Sequence, residues 1–514
     1  MSTSYRIGNR GTTSSSTEST ILKSLLELSS SDDNGSSITF WNCQWSPRVV
    51  QSLRKLFVRD GRIFSTIKFF DCDFSDNNNN NDTNTYFAEI LNMILVHNVT
   101  KSLIIKGRNG NDREELSVLS STTSTACESS LRSSSLDVSI LTALREGIST
   151  STSLKSLRLS ISSGLNVLSS TPDVEDDATS QWWQGLINNT TLTDLDLSGS
   201  CLSQSTVTGL SNALSFNTVL QSLNLSRCNL NDQSISEIVR CIREHPTLTK
   251  LNLSRNYLAK STTTQAVDAI TNLLRSSKNN NNSVLTSLDL SHQQQPPKRI
   301  PKAEEEEEED QTLRRQHAIA FANALDALST NTALQIINLS GNIGCFADIS
   351  NVKALSSCLI SNTTLCSVAV SCCDIDTTTD GGIQFLAKNC IPHCSDRLKS
   401  LILFNDDGNN YVNLEKSTVE VLATGLQSNT TLENLGETTS SSNKNSYYVI
   451  QHLLNGNRGG RRALRSNDKL PLAVWSYVLA RTGNIEYDDD DNAAATSASV
   501  LFELIRGPAL LERR

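Results

Sequence analysis

Residues 220–230 read LQSLNLSRCNL and residues 248–258 read LTKLNLSRNYL, and the two stretches lie over one another without a gap. Both follow the pattern L-x-x-L-x-L-x-x-(N/C)-x-L, with Cys228 in one and Asn256 in the other at the ninth place. The middle leucines, Leu223 and Leu251, are 28 residues apart, and another step of 28 backwards reaches Leu195 in LTDLDLSGSCL. Side chains two apart on an extended strand share a face, so Leu195 with Leu197, Leu223 with Leu225 and Leu251 with Leu253 point inward from short strands. Between strands, Val207, Leu210 and Leu214 recur 28 residues on as Ile235, Ile238 and Ile242, the i, i+3, i+7 stripe of an amphipathic helix. Each unit is therefore strand, turn, helix, turn.

One such unit cannot bury its apolar face alone, and stacking its neighbours is what stabilises it. The predicted fold class is an α/β solenoid. Helices are wider than strands, so the stack is expected to curve into a horseshoe with a parallel sheet on the concave face and helices on the convex face.

At the ninth place the chain leaves the sheet for the interior, where its backbone polar groups need partners. Asn offers a donor and acceptors, and Cys is a small, mostly apolar residue with a weak donor. Cys72, Cys228, Asn256, Asn342 and Cys373 fall at this place and are read as structural. The helical units, the 28-residue period and the exchange of Cys with Asn resemble leucine-rich-repeat proteins of the ribonuclease-inhibitor-like type, a family that includes the Ran GTPase-activating proteins and the repeat domains of NOD-like receptors. The resemblance implies the scaffold alone, because no family-specific active residue is matched.

Weaker copies occur at SLKSLRLS (153–160), VLTSLDLS (284–291), ALQIINLSGN (333–342), TLCSVAVSCC (364–373), RLKSLILF (397–404) and TLENL (431–435). Upstream, FSTIKFFDCDF (64–74) and TKSLII (100–105) fit with aromatic or isoleucine substitutions, and Asn-Thr-Thr-Leu precedes the strand at 189–192, 362–365 and 429–432. These copies predict a solenoid over 38–440, preceded by a flexible polar N-terminus with a short helix (1–37) and followed by a helical C-terminal cap (441–514). Low-complexity insertions are expected near 75–84, 117–135, 276–283 and 292–312, since polar and charged runs bury too little apolar surface to offset ordering.

Of the net charge of −9, the run from Glu304 to Asp310 supplies −7, leaving −2 for the remainder. That balance, and a single basic cluster at 457–465, gives no basis for a nucleic-acid partner. The polar start of the chain and the lack of any long apolar run predict a cytoplasmic or nuclear protein without a membrane partner, its 13 cysteines reduced. Asn-x-Ser/Thr sequons then read as by-products of the repeat, and Cys390 and Cys394 around His393 as ordinary buried thiols, their spacing being no zinc signature. No zincin, phosphate-loop, nucleophile-elbow or dinucleotide motif is present, so no catalytic residue, cofactor or metal is expected.

What remains is surface. The outward positions between the inward leucines are Asp196, Asn224, Asn252, Asp289 and Asn338, with Asp194 at the start of one strand. Arg227, Arg255 and Tyr257 sit at the strand-to-helix edge, and Trp41 and Trp45 mark irregular N-terminal units. These are the candidate contacts for a protein partner of a monomeric, non-catalytic scaffold, a reading by analogy of fold. The alternative is a GTPase-activating protein resembling the Ran regulators.

Overall fold

The computed structural model describes residues 4–8, 18–29, 36–41, 43, 45–70, 82–106, 138–160, 182–258, 264–276, 284–293, 319–342, 345–377, 381–404, 416–436, 450, 453–455 and 457–458. They fall into two units, one reaching Ala269 and the other carrying most of the chain from Ile270 onward. The first holds strands β1 (Ser4–Gly8), β2 (Ser37–Trp41), β3 (Phe64–Phe70), β4 (Thr100–Lys106), β5 (Ser156–Ser160), β6 (Asp194–Asp196), β7 (Ser222–Asn224) and β8 (Lys250–Asn252). Each is parallel to the next in chain order. The second holds β9 (Ser287–Asp289), β10 (Ile336–Asn338), β11 (Ser367–Ala369), β12 (Ser400–Phe404) and β13 (Asn434–Gly436), again parallel and in order. Helices such as Gln204–Phe216, Asp232–Ile242 and Ile349–Ser361 alternate with the strands. The fold is an α/β leucine-rich-repeat solenoid.

The periodic residues do what their spacing requires. Leu195, Leu223 and Leu251 are buried and in register, and Val207, Leu210 and Leu214 on one helix and Ile235, Ile238 and Ile242 on the next are buried too. Helix starts are capped by short polar side chains that take an otherwise orphaned N–H: Ser203 accepts from Thr206, Asn231 from Ser234 and Asp348 from Ser350.

The array begins earlier than residue 38. β1 pairs with β2 along five positions, Tyr5 opposite Ile38 and Ile7 opposite Phe40, and Ile7 is buried. Inside the stretch expected to be a flexible terminus, the helix Glu18–Ser29 buries Ile21, Leu25 and Leu28. A five-residue strand with one aliphatic inward side chain, set among serines and threonines, carries too little pattern to be read alone. The expected C-terminal cap lies outside the described residues apart from a few between 450 and 458, of which Ile450, Leu453 and Leu454 are buried. The expected insertions also lie largely outside them.

At the ninth place a donor is what the structure uses. In the first unit Cys228 Sγ donates to the Leu197 carbonyl (3.2 Å) and Asn256 Nδ2 to that of Leu225 (2.9 Å). In the second, Asn342 Nδ2 donates to Leu290 (3.0 Å) and Cys373 Sγ to Leu339 (3.1 Å). Ser200 Oγ to Leu159 (3.0 Å) and Cys43 Sγ to Ile7 (3.7 Å) belong to the same series, although the sequence pattern marked neither. In each case the acceptor is the second inward residue of the preceding repeat. A hydroxyl, thiol or amide therefore serves, which is why these residues exchange.

The Asn-Thr-Thr-Leu recurrence is a second internal ladder. Asn189 Nδ2 donates to the Ile148 carbonyl while its Oδ1 accepts the N–H groups of Thr191 and Leu192. Asn217, Asn362 and Asn429 make equivalent contacts, reaching Leu186, Leu328 and Ile391. Thr191 and Thr364 hydroxyls donate back to Leu154 and Leu334. All four asparagines are buried, and Asn189, Asn362 and Asn429 head Asn-x-Thr sequons.

Candidate partner-binding surface

In an LxL strand the residues between and beside the inward leucines face away from the helices, and register places them in rows across neighbouring strands. Asp196, Asn224 and Asn252 form such a row in the first unit. Each, however, turns one oxygen back onto its own chain: Asp196 Oδ1 accepts from Ser198 N (2.9 Å), Asn224 from Ser226 (3.1 Å) and Asn252 from Ser254 (2.9 Å). Asp289 and Asn338 in the second unit accept likewise from Ser291 (2.9 Å) and Ser340 (3.1 Å). Asx side chains that bond their own backbone two residues on are turn formers, so these candidates end the strand and present only their second polar atom outward. Asp194 is exposed and takes the Thr193 hydroxyl (2.7 Å).

Arg227 and Arg255 stand immediately before the ninth place, and both backbones are left-handed, with φ of 57° and 58°. Gly199 holds the corresponding place with φ of 77°, and in the second unit Gly341 does so with φ of 72°. The turn aims the backbone N–H at the next repeat, Arg227 N at the Ser254 carbonyl (3.0 Å) and Gly199 N at that of Ser226 (2.8 Å). Both arginine side chains are exposed. Tyr257 is half-buried, its N–H bonded to the Leu230 carbonyl (2.9 Å).

The N-terminal strands differ in chemistry. Register sets Arg6, Thr39, Lys68, Ile104, Arg158 and Asp196 in one row, and Gly8, Trp41, Phe70, Lys106 and Ser160 in the next. The Trp41 and Phe70 rings stack with centroids 4.5 Å apart, the Arg6 guanidinium lies 5.9 Å from the Trp41 ring centre, and Arg158 Nε is 3.2 Å from Asp196 Oδ2. Of these, sequence reasoning singled out Trp41 and Asp196. Trp45, named with Trp41, is instead buried in a core cluster with Phe40, Phe69 and Phe87. A signal for the rest was available in the alternation of Thr66, Lys68 and Phe70 against Ile67 and Phe69.

Among the described residues no group of three or more His, Cys, Asp or Glu is placed to hold a metal ion. Burial pushes the thiols of Cys228, Cys358 and Cys373 up to about 12 and that of Cys394 up to about 11, leaving them protonated and weakly nucleophilic. No helix among the described residues is long and apolar enough to cross a membrane.

No protein-family model and no curated protein matches the chain. Among solved structures it is similar to a tropomodulin C-terminal domain from Caenorhabditis elegans, at 12% identity over 39% of this chain and 99% of that one with a TM-score of 0.27. It is also similar to an internalin from Listeria monocytogenes, at 18% identity over 62% of this chain and 90% of that one with a TM-score of 0.28.

Proposed function

We propose that the chain is a non-catalytic protein-binding scaffold of the ribonuclease-inhibitor-like repeat type, working in the cytoplasm or nucleus and engaging a protein partner through the outward face of its sheet. The observation that carries this reading is the register, which turns isolated outward side chains into continuous rows across consecutive strands. Such rows offer a broad surface on a rigid support, and a rigid surface loses little entropy on binding.

The test is affinity capture with the full chain followed by amine-reactive cross-linking. Lys68, Lys106 and Lys250 report the sheet face, while Lys353, Lys388 and Lys416 report the helices. Reproducible partners cross-linked through the first set are the expected result. Partners joined only through the second set, or no reproducible partner, would remove the reading. Enrichment of a small GTPase whose hydrolysis the chain accelerates would replace it with the activator alternative.

A further inference from the structure

We infer that the outward face of β1–β5 is a docking site for an extended acidic peptide segment of a partner protein, an inference that rests on the scaffold reading and names the chemistry of what is bound. The outward positions of these five strands carry four cations, Arg6, Lys68, Lys106 and Arg158, and no carboxylate. The first carboxylates met along the sheet are Asp194 and Asp196 on β6, and Asp196 already pairs with Arg158. Across β6–β8 the outward positions are Asp194, Asp196, Ser222, Asn224, Lys250 and Asn252, one cation against two carboxylates, so the excess of positive charge lies on the N-terminal strands.

Spacing gives the ligand its form. Arg6, Lys68 and Arg158 share a row on alternate strands, so successive charges are two strand spacings, about 10 Å, apart. A peptide in the extended polyproline II conformation advances about 3.1 Å per residue with three residues per turn, so carboxylates at every third position share one face and repeat at about 9 Å, close to the spacing of the cations. Beside that row, Trp41 stacked on Phe70 forms an apolar ridge next to Lys106, and Arg6 rests over the Trp41 ring. Aromatic and arginine side chains of this kind are the usual anchors of an interface, and apolar surface around a cation strengthens its pairing with a carboxylate.

A single-stranded nucleic acid would also seek cations and rings, but it binds by stacking bases on open ring faces. Here Trp41 and Phe70 stack on each other and Arg6 covers Trp41. One face of each ring is taken by the other and Arg6 lies over Trp41, which leaves less open ring surface for bases and favours the acidic peptide.

The test uses the full chain and fluorescence anisotropy with three labelled probes. These are a 12-residue peptide carrying Glu at every third position in a Ser/Gly background, the same peptide with Gln for Glu, and a 12-nucleotide oligouridine. The Glu peptide should bind, with affinity falling steeply as salt rises, and the Gln peptide should not. Lys68→Glu with Lys106→Glu should weaken binding at least tenfold, Lys68→Gln with Lys106→Gln less, and Lys250→Glu on β8 under twofold. Thermal melts should show all three variants folded. No binding of the Glu peptide at low salt, equal loss with Lys250→Glu, or preferential binding of oligouridine would overturn the inference. So would binding that emerges only when residues 304–310 are deleted, since the occupant would then be the chain's own acidic run. The scaffold reading fails separately: cross-linked partners that persist in the Lys68→Glu, Lys106→Glu variant keep it while sinking this one.

Discussion

The backbone N–H of Cys228 donates to Oδ1 of Asn256, 28 residues later, at 3.0 Å. The same oxygen accepts from Leu230 N (3.1 Å), while Asn256 Nδ2 donates to the carbonyls of Leu225 and Leu253 (2.9 and 2.8 Å). One fully buried amide thus joins two repeats and closes the turn of its own.

Asn256→Ala should therefore be costly. It strands two buried N–H groups and two carbonyls, and an unpaired buried group costs about 1–3 kcal/mol. The expected loss is at least about 2 kcal/mol, read from the urea midpoint. Asn256→Cys should fall between wild type and Ala, because a thiol there repeats the bond Cys228 makes to Leu197 (3.2 Å) but supplies no comparable acceptor. Equal midpoints for Ala and Cys would show that the donor is not what this place requires.

Arg227 tests whether the strand-to-helix edge is shaped for binding or for folding. Its left-handed backbone (φ 57°) costs a residue with a Cβ about 1–2 kcal/mol, and Gly199 fills the same turn one repeat earlier. Glycine also loses more chain entropy on folding. Arg227→Gly should leave stability unchanged or raise it by up to about 1 kcal/mol, whereas Arg227→Val should lower it. A drop in melting temperature for the Gly variant would mean that the arginine side chain stabilises the turn by more than its backbone strains it.

How far the sequence could be read depended on how much of each repeat is apolar. Leu195, Leu223 and Leu251 carry a hydrophobic period strong enough to place the central strands and helices. β1 has Ile7 as its one aliphatic inward residue and vanishes into its polar flanks. Ser200 and Cys43 escaped because the pattern names residue types, while the structure selects for any short side chain with a donor aimed at a carbonyl. The candidate surface was harder. Asn224 and Asn252 were read as partner contacts from their outward position, and position alone does not reveal that an Asx side chain folds back onto Ser226 or Ser254. The basic N-terminal row stayed hidden because it forms only when register brings Arg6, Lys68 and Arg158 together from segments 62 and 90 residues apart.

The thiols offer a reading of local opening. With Cys228, Cys358 and Cys373 buried and pushed up to about 12, about one in ten thousand would be thiolate at pH 8. Cys201, Cys241, Cys366 and Cys372 are partly exposed. Under native conditions Ellman's reagent should modify the second group and spare the first, which should react only as urea unfolds the chain. Mass mapping that finds Cys228 modified as fast as Cys372 would contradict a packed interior around Cys228.

At residue 245 the helix-end ladder of asparagines changes to histidine. His245 follows Asn217 by 28 residues, as Asn217 follows Asn189. Its Nδ1 does the work of an asparagine Oδ1, accepting from Thr247 N (3.3 Å) and Leu248 N (3.1 Å). The ring proton must then sit on Nε2, which is buried without a hydrogen-bond partner, where Asn217 Nδ2 reaches the Leu186 carbonyl (2.8 Å). Burial holds the His245 pKa below its ordinary value. Protonation would put a hydrogen on Nδ1 and break both accepted bonds, so the fold favours the neutral ring. The stability it supplies is whole above the ordinary value of about 6.5 and is lost as pH falls through the lowered folded value, because the unfolded chain then binds the extra proton. His245→Asn restores an uncharged acceptor and adds a donor. Its melting temperature should exceed that of wild type at pH 5 by more than it does at pH 8, flattening the acid side of the stability profile. Parallel profiles for the two proteins between pH 5 and pH 8 would show that His245 is not what makes this turn sensitive to acid.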